Sequence, residues 1–384
     1  MNASKWSLIW PMLLTFLVPM AAAWFAYPSH LPPSFGIFPP VQVEGTPGFN
    51  LFYFIAVSAI AILIAAVYII PKRFGFAGSE PAAAPAKKSL PWWFWAGGAV
   101  MLFFWWLMWA RPVALGTFVY YAFSPMWWGF IVMLDGINYR QNDGKSLLAT
   151  KPGLMLFSAI TSIVGWGYFE FYNFFVQSNW YYPNGHMEEL PHAQIVCMYL
   201  VAYSTVWPAI MQWFNLLNSF PKLVARYQNG PKWSANGNGM ILFGVIIITL
   251  LVFFPFGMFW SIWIGPMAVI IGMMQRLNIW TPFASMAKGD WSPTLLIALA
   301  SLCNGFFWEM WNYGSVRPDL GYPTNPHYWQ YDVPFVNVIH IFSDMPLVGY
   351  FGYLPFGLLV WVFLIWAGKL VGKNTDLYLH ENSK

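Results

Sequence analysis

The chain has 384 residues, 59% of them hydrophobic, 21% aromatic and only 8% charged, with a formal net charge of +4. Ordinary globular domains carry about 25% charged residues, so a soluble domain is excluded. The small positive excess is too weak and scattered for a nucleic-acid-binding face, and two cysteines, Cys197 and Cys303, exclude a disulfide framework. Both fall in apolar stretches and read as small buried hydrophobes.

Uninterrupted apolar blocks match the length needed to cross a hydrocarbon core roughly 30 Å thick. The expected fold is therefore all-α, a polytopic integral membrane protein with about ten transmembrane helices. The spans are 6–26, 50–70, 91–110, 117–135, 154–176, 193–216, 239–254, 257–275, 293–313 and 345–367. The seventh and eighth are short and meet through "FFPFG", which suits a tight hairpin or a broken helix. The first is long, Pro-flanked and without a small-x-small cleavage site, so it reads as retained. With both termini in the cytoplasm, sixteen Lys and Arg fall inside and only Arg111 and Arg317 outside, a strong positive-inside pattern. It points to a bacterial inner membrane.

The organisation follows. Residues 1–73 form a two-helix hairpin and 74–90 an Ala/Pro-rich cytoplasmic linker. Two membrane repeats, 91–216 and 239–367, precede a cytoplasmic tail, 368–384. The repeats rest on the alignment of "LFSAITSIVGWGYFEFYN" (156–173) with "LLIALASLCNGFFWEMWN" (295–312), which superposes Glu170 on Glu309 and Asn173 on Asn312. Each is followed by a W-x-Y, Trp180 with Tyr182 and Trp329 with Tyr331. Both helices run in the same direction, so the expected duplication is parallel, a four-helix unit repeated about an axis along the membrane normal.

In E-x-x-N the carboxylate and the amide share a helix face. Each motif lies near the outer end of its helix, where the two patches face each other under pseudo-symmetry. Glu309 and Glu170 are thus the candidate acid/base pair, with Asn173 and Asn312 to orient them. Trp180, Tyr182, Trp329 and Tyr331 would form an aromatic wall. The purely structural alternative is that each Glu pins an outer loop by accepting from its Tyr or Trp. His340 and Asp344 share a face if "HIFSDMP" is helical, with Asp344 also a candidate N-cap of the last span. Asp135 is expected to pair with Arg140, and Arg111 to meet solvent or a lipid headgroup, with neutralisation of an outer carboxylate as the alternative. No cofactor and no metal are expected. No histidine lies mid-span for haem, "HMEELPH" lacks the H-E-x-x-H order, and no P-loop, G-x-S-x-G or Rossmann pattern occurs.

The elements "WWGFIVMLD" (127–135), "GKSLL" (144–148) and the Trp-rich E-x-x-N helices resemble those of a class of bacterial polytopic membrane proteins without an established activity. The likeness covers most of 117–356. A fainter one is to membrane-embedded lycopene cyclase domains, built of two similar multi-span halves, each with an acidic helix residue, a W-x-Y and a Pro before the next span. That resemblance implies redox-neutral protonation of a polyene end, with Glu170, Trp180 and Tyr182 paralleled by Glu309, Trp329, Tyr331 and Pro334. The family's P-x-E-E is absent here: Pro191 precedes "HAQ" and Pro334 precedes "FVN".

Three functions suit these features. The first is a membrane enzyme acting on an apolar lipid or isoprenoid substrate. The second is a proton-coupled transporter, and the third a structural or anchoring subunit beside other membrane subunits. Membrane lipids are expected partners in all three, and nucleic acid in none.

Overall fold

A computed structural model describes residues 5–316 and 325–380. Thirteen α-helices are described: α1 (Lys5–Ala26), α2 (Leu51–Ile69), α3 (Trp92–Ala110), α4 (Phe123–Gln141), α5 (Leu147–Thr150), α6 (Pro152–Phe175), α7 (His192–Tyr203), α8 (Val206–Asn218), α9 (Pro221–Ala225), α10 (Gly237–Phe253), α11 (Ser261–Arg276), α12 (Ser292–Tyr313) and α13 (Tyr353–Val371). Two short strands, β1 (Trp180–Tyr181) and β2 (Gln330–Tyr331), are the only described strands. Long apolar helices are the expected solution in lipid, because each backbone N–H and C=O is satisfied within its own segment.

Among the described residues seven helical segments are long and apolar enough to cross a membrane, or eight if one bent pair counts as a span. The protein is therefore helical and membrane-embedded. The bent pair is the fourth expected span, a 3-10 stretch Val113–Tyr121 meeting α4 at 63°. The seventh and eighth expected spans are helices of 17 and 16 residues, α10 and α11. Helices α7 and α8 together make one span-length segment, His192–Asn218. Arg317 and Lys384 lie outside the described residues.

Two helix pairs pack with their backbones almost touching. A Cβ on Gly97 of α3 would sit 2.7 Å from the Gly129 carbonyl of α4, and one on Gly244 of α10 would sit 2.6 Å from the Gly265 carbonyl of α11. Without a hydrophobic driving force between helices in lipid, such glycine contacts let van der Waals packing hold the pair. Helices α8, α12 and α13 form the centre, with α4 and α6 packed on α8, α11 on α13, and α1 on α10 and α11. The core is largely aromatic, and Trp127, Trp207, Trp311 and Trp361 are among its largest fully buried side chains.

Several expectations are corrected. Asp135 does not pair with Arg140. It accepts from Ser146 Oγ (2.6 Å), Gln212 Nε2 (2.8 Å), Leu148 N (3.0 Å) and Trp93 Nε1 (3.2 Å). The carboxylate thereby ties "WWGFIVMLD" to "GKSLL", satisfying a buried acceptor with local donors instead of a solvated cation. Arg111 is 3% exposed, inside the fold and away from solvent. Cys197 is exposed and Cys303 half-buried, because their helix faces point outward from the bundle. Asp344 caps no helix: residues after β2 run irregularly to a 3-10 turn, Leu347–Gly352, which leads into α13.

Candidate functional site

The W-x-Y spacing acquires its meaning in the β1–β2 pair. The strands are antiparallel, with Trp180 opposite Tyr331 and Tyr181 opposite Gln330. Successive side chains on a strand alternate in direction, so Trp180 and Tyr182 share a face with Trp329 and Tyr331. Tyr181 and Gln330 lie on the other face, joined by a 3.0 Å hydrogen bond. Each strand is held to its carboxylate helix by the motif asparagine. Asn173 Nδ2 donates to the Trp180 carbonyl (2.7 Å), and Asn312 Nδ2 donates to the Trp329 carbonyl (2.7 Å). The backbone N–H groups of Trp180 and Trp329 donate back to the same two amides. The asparagines therefore position the tryptophans and do not contact the glutamates.

Glu170, on α6, is enclosed by four donors. Its Oε1 accepts from Tyr182 (2.6 Å), Tyr203 (2.9 Å) and Trp166 (2.9 Å), and its Oε2 from Trp180 (3.1 Å). Trp166 lies four residues before Glu170, hence on the same helix face. Glu309, on α12, is arranged differently. Its Oε1 accepts from Tyr331 and Tyr353, both at 2.7 Å, and Trp329 Nε1 donates to the Tyr331 hydroxyl (2.8 Å). Its Oε2 is buried and makes no hydrogen bond, although Ser343 and Asp344 lie near enough to bear on the carboxyl. Glu309 is 0% exposed and Glu170 3%.

The two carboxylates are not joined by a hydrogen bond. What unites them is a cavity of about 510 Å³ between their helices. Trp166, Trp180, Tyr182 and Tyr203 line it from the Glu170 side, and Trp308, Trp329, Tyr331 and Tyr353 from the Glu309 side. Trp166 and Trp308 approach to 6.3 Å between ring centroids, and Phe356 packs against both. Trp180 stacks on Trp263 at an interplanar angle of 12°. The volume lies within the range of small-molecule sites, about 300–1,000 Å³, and the mostly apolar lining with a few hydroxyls suits an apolar ligand. Neither glutamate is a lining residue, so the groups that face the space are the phenols. Burial, with the adjacent carboxylates adding to it, pushes the Tyr182 and Tyr331 hydroxyls well above the ordinary tyrosine range, which keeps them protonated donors.

His327 also lines the cavity. It is 3% exposed, stacked on Phe123 (5.0 Å, 23°) and beside Tyr199 (5.0 Å). Burial lowers its pKa to about 4, so the ring is neutral. Its Nδ1 contacts Asn325 Oδ1 (3.3 Å), an atom that already accepts from the His327 backbone N–H (3.0 Å). That amide oxygen is an acceptor, so Nδ1 carries the ring proton.

Of the ten residues singled out from the sequence, eight meet here: Glu170, Asn173, Trp180, Tyr182, Glu309, Asn312, Trp329 and Tyr331. His340 does not join them, and Asp344 comes near Glu309 without a hydrogen bond to it. Their segment is not helical, His340 is exposed with Nε2 on Asn337 Oδ1 (3.1 Å), and Asp344 accepts from Tyr328 (2.9 Å). Sequence reasoning missed Tyr203, Tyr353, Trp166, Trp308 and His327. The i, i+4 spacing of Trp166 to Glu170 was a usable signal, whereas Tyr203 and Tyr353 reach the carboxylates across long sequence separations. Comparison with known proteins finds no matching family model, no matching curated protein and no matching solved structure.

Proposed function

We propose that the protein is a membrane enzyme that converts an apolar lipid- or isoprenoid-class substrate by acid/base chemistry, with Glu309 as the proton-handling group. One observation carries this reading: Glu309 has an unsatisfied oxygen, while its other oxygen holds the two phenols that face an aromatic cavity. Buried polar groups are nearly always hydrogen-bonded, so a carboxyl oxygen without a partner calls for an explanation, and a part in proton transfer supplies one.

In the proposed reaction a proton passes from Glu309 through Tyr331 or Tyr353 to a carbon–carbon double bond, leaving a carbocation. The Trp166, Trp180, Trp308 and Trp329 rings stabilise that charge through their π faces. Loss of a proton from a neighbouring carbon back to the phenol–carboxylate pair restores the acid. The net change is an isomerisation or ring closure with no change in mass and no redox partner. Glu170 holds the opposite wall. The matched Asn–Trp clamps also support a parallel duplication of a four-helix unit, and the proposal keeps ten spans in a bacterial inner membrane with both termini cytoplasmic. The W-W-G-F…D, G-x-S-L-L class named above is the proposed family.

The test is to express the wild type and Glu309→Gln in the same host and compare their extracted apolar lipids by chromatography and mass spectrometry. The expected result is a product of unchanged mass and altered retention that is missing from Glu309→Gln membranes. Identical lipid profiles would overturn the enzyme reading. Flux driven by a pH gradient in proteoliposomes would favour a proton-coupled transporter, and stoichiometric co-purification of other chains would favour a subunit.

A further inference from the structure

We propose that the ligand enters the cavity sideways from the hydrocarbon layer, past α2, and that Ala61 on that helix limits the width of chain admitted. This inference rests on the reading of the cavity as a site for an apolar chain. Helix α2 stands apart from every other span. Only 6% of its apolar window is buried, whereas the window in α6 is 56% buried and that ending in α13 67%. Yet Val57, Ile60, Ala61 and Ile64 line the cavity. These positions follow i, i+3, i+4, i+7, which is one face of a helix. The opposite face is fully apolar and outward-looking, with Ile55 55%, Ile62 69% and Leu63 56% exposed. Ile60, at the edge of the cavity stripe, is itself 59% exposed, so the helix borders the ligand space on one side and the bilayer on the other.

Helix α2 is fastened mainly near its ends. Tyr53 Oη donates to the Gly257 carbonyl (2.9 Å), and the Asn50 N–H donates to the Phe335 carbonyl (3.0 Å). At the far end Tyr68 Oη donates to the Leu295 carbonyl (2.9 Å), and Arg226 donates to the Ile69 carbonyl. Tyr53 also packs on Phe335 at 5.0 Å. Between these ties α2 faces the cavity, and Val57 also packs on the small cluster of Val333, Val336 and Val348. Moving the middle of α2 outward exchanges contact with an apolar void for contact with lipid, at little cost in buried area. The chain at 27–50 and 75–91 is extended or turn-like, and α2 also touches the 3-10 turns Pro71–Phe74 and Leu347–Gly352. Ala61 is the one α2 residue that is fully buried, and its methyl group is the smallest side chain on the cavity-facing stripe. A larger side chain there projects into the ligand space and against the residues that now cover the methyl group.

The experiment uses the full chain in phosphatidylcholine vesicles and a conjugated tetraene fatty acid, cis-parinaric acid, as a fluorescent probe of apolar binding. Equilibrium titration and stopped-flow association are read for the wild type, Ala61→Trp, Ile62→Trp and the double variant Tyr53→Phe/Tyr68→Phe. The expected result has three parts. Ala61→Trp weakens binding at least about tenfold, and Ile62→Trp, on the bilayer face, stays within about twofold of the wild type. The double variant associates at least about threefold faster with its affinity little changed, because the ties are loosened and the site is not. Ala61→Trp that binds like the wild type, or a double variant with unchanged rates, overturns the inference. The test needs no turnover. Failure of the wild type to bind the probe would count against the apolar-site reading itself, while binding that ignores α2 would count against this route alone.

Discussion

The two carboxylate helices carry the same motif and build two different sites. Around Glu170 four donors, Trp166, Trp180, Tyr182 and Tyr203, cover both oxygens. Around Glu309 two phenols share one oxygen and the other is left bare. The divergence is traceable to two positions. Four residues before Glu170 stands Trp166, whose indole donates to the carboxylate. Four residues before Glu309 stands Gly305, and a Cβ there would lie 2.5 Å from the Tyr353 ring. The Tyr353 ring takes the space a side chain at 305 would fill and donates to Oε1, while Trp329, the counterpart of Trp180, donates to the Tyr331 hydroxyl and leaves Oε2 without a hydrogen bond. A fully satisfied buried carboxyl serves as a fastening, and a half-satisfied one is available for chemistry.

Glu309→Gln should lower turnover by about 10²–10⁴-fold, the usual worth of a positioned acid/base group, with the fold intact. Glu170→Gln should act on stability instead. The amide cannot accept from all four donors, so unfolding should become easier by about 3 kcal/mol, measured by thermal denaturation in detergent. Equal loss of turnover with unchanged stability in both variants would erase the distinction.

The next largest effect concerns pH. His327 is buried neutral, with a pKa of about 4 against an unfolded value near 6.5. Between these values the unfolded chain binds more protons than the folded one. The contribution is therefore complete above about pH 6.5 and falls away as the pH drops toward 4, reaching roughly 3 kcal/mol. Melting temperature should decline over that window, and His327→Gln should flatten the slope. The same slope in the variant would place the titration elsewhere.

Gly305→Ala should cost about 1–3 kcal/mol by overpacking against Tyr353. It should also reduce turnover, because the displaced phenol leaves Glu309. The smallest effect should come from single loop phenols. Tyr182→Phe leaves Glu170 with three donors, so a loss of about 1 kcal/mol is expected and little change in turnover. A turnover defect in Tyr182→Phe larger than that in Tyr331→Phe would reverse the assignment of the two walls.

Much of this was legible in the sequence. Unbroken apolar runs announced membrane helices, and the paired "GYFEFYN" and "FFWEMWN" announced matched carboxylates. W-x-Y announced two aromatic side chains on one strand face, although a strand was not foreseen. Other features were hidden for physical reasons. Tyr203 and Tyr353 reach the glutamates from the far end of one helix and the start of another, and apolar periodicity does not encode which helices meet. Asp135 looked like half of an ion pair because Arg140 is near in sequence, whereas burial favoured neutral donors from the next loop. His340 and Asp344 were paired on the assumption of a helix that the chain does not form before Tyr353. The peripheral position of α2 was invisible, since a helix facing lipid on most sides is as apolar as one in the core.

The central claim is that Glu309, and not Glu170, is the proton-handling carboxyl of the cavity. Infrared difference spectroscopy tests it most directly, recording the carboxyl region of the wild type, Glu170→Gln and Glu309→Gln as a long-chain polyprenyl amine, a mimic of the carbocation, is added. The account expects a ligand-dependent carboxyl signal that persists in Glu170→Gln and disappears in Glu309→Gln. A signal that vanishes with Glu170→Gln and survives Glu309→Gln would contradict it.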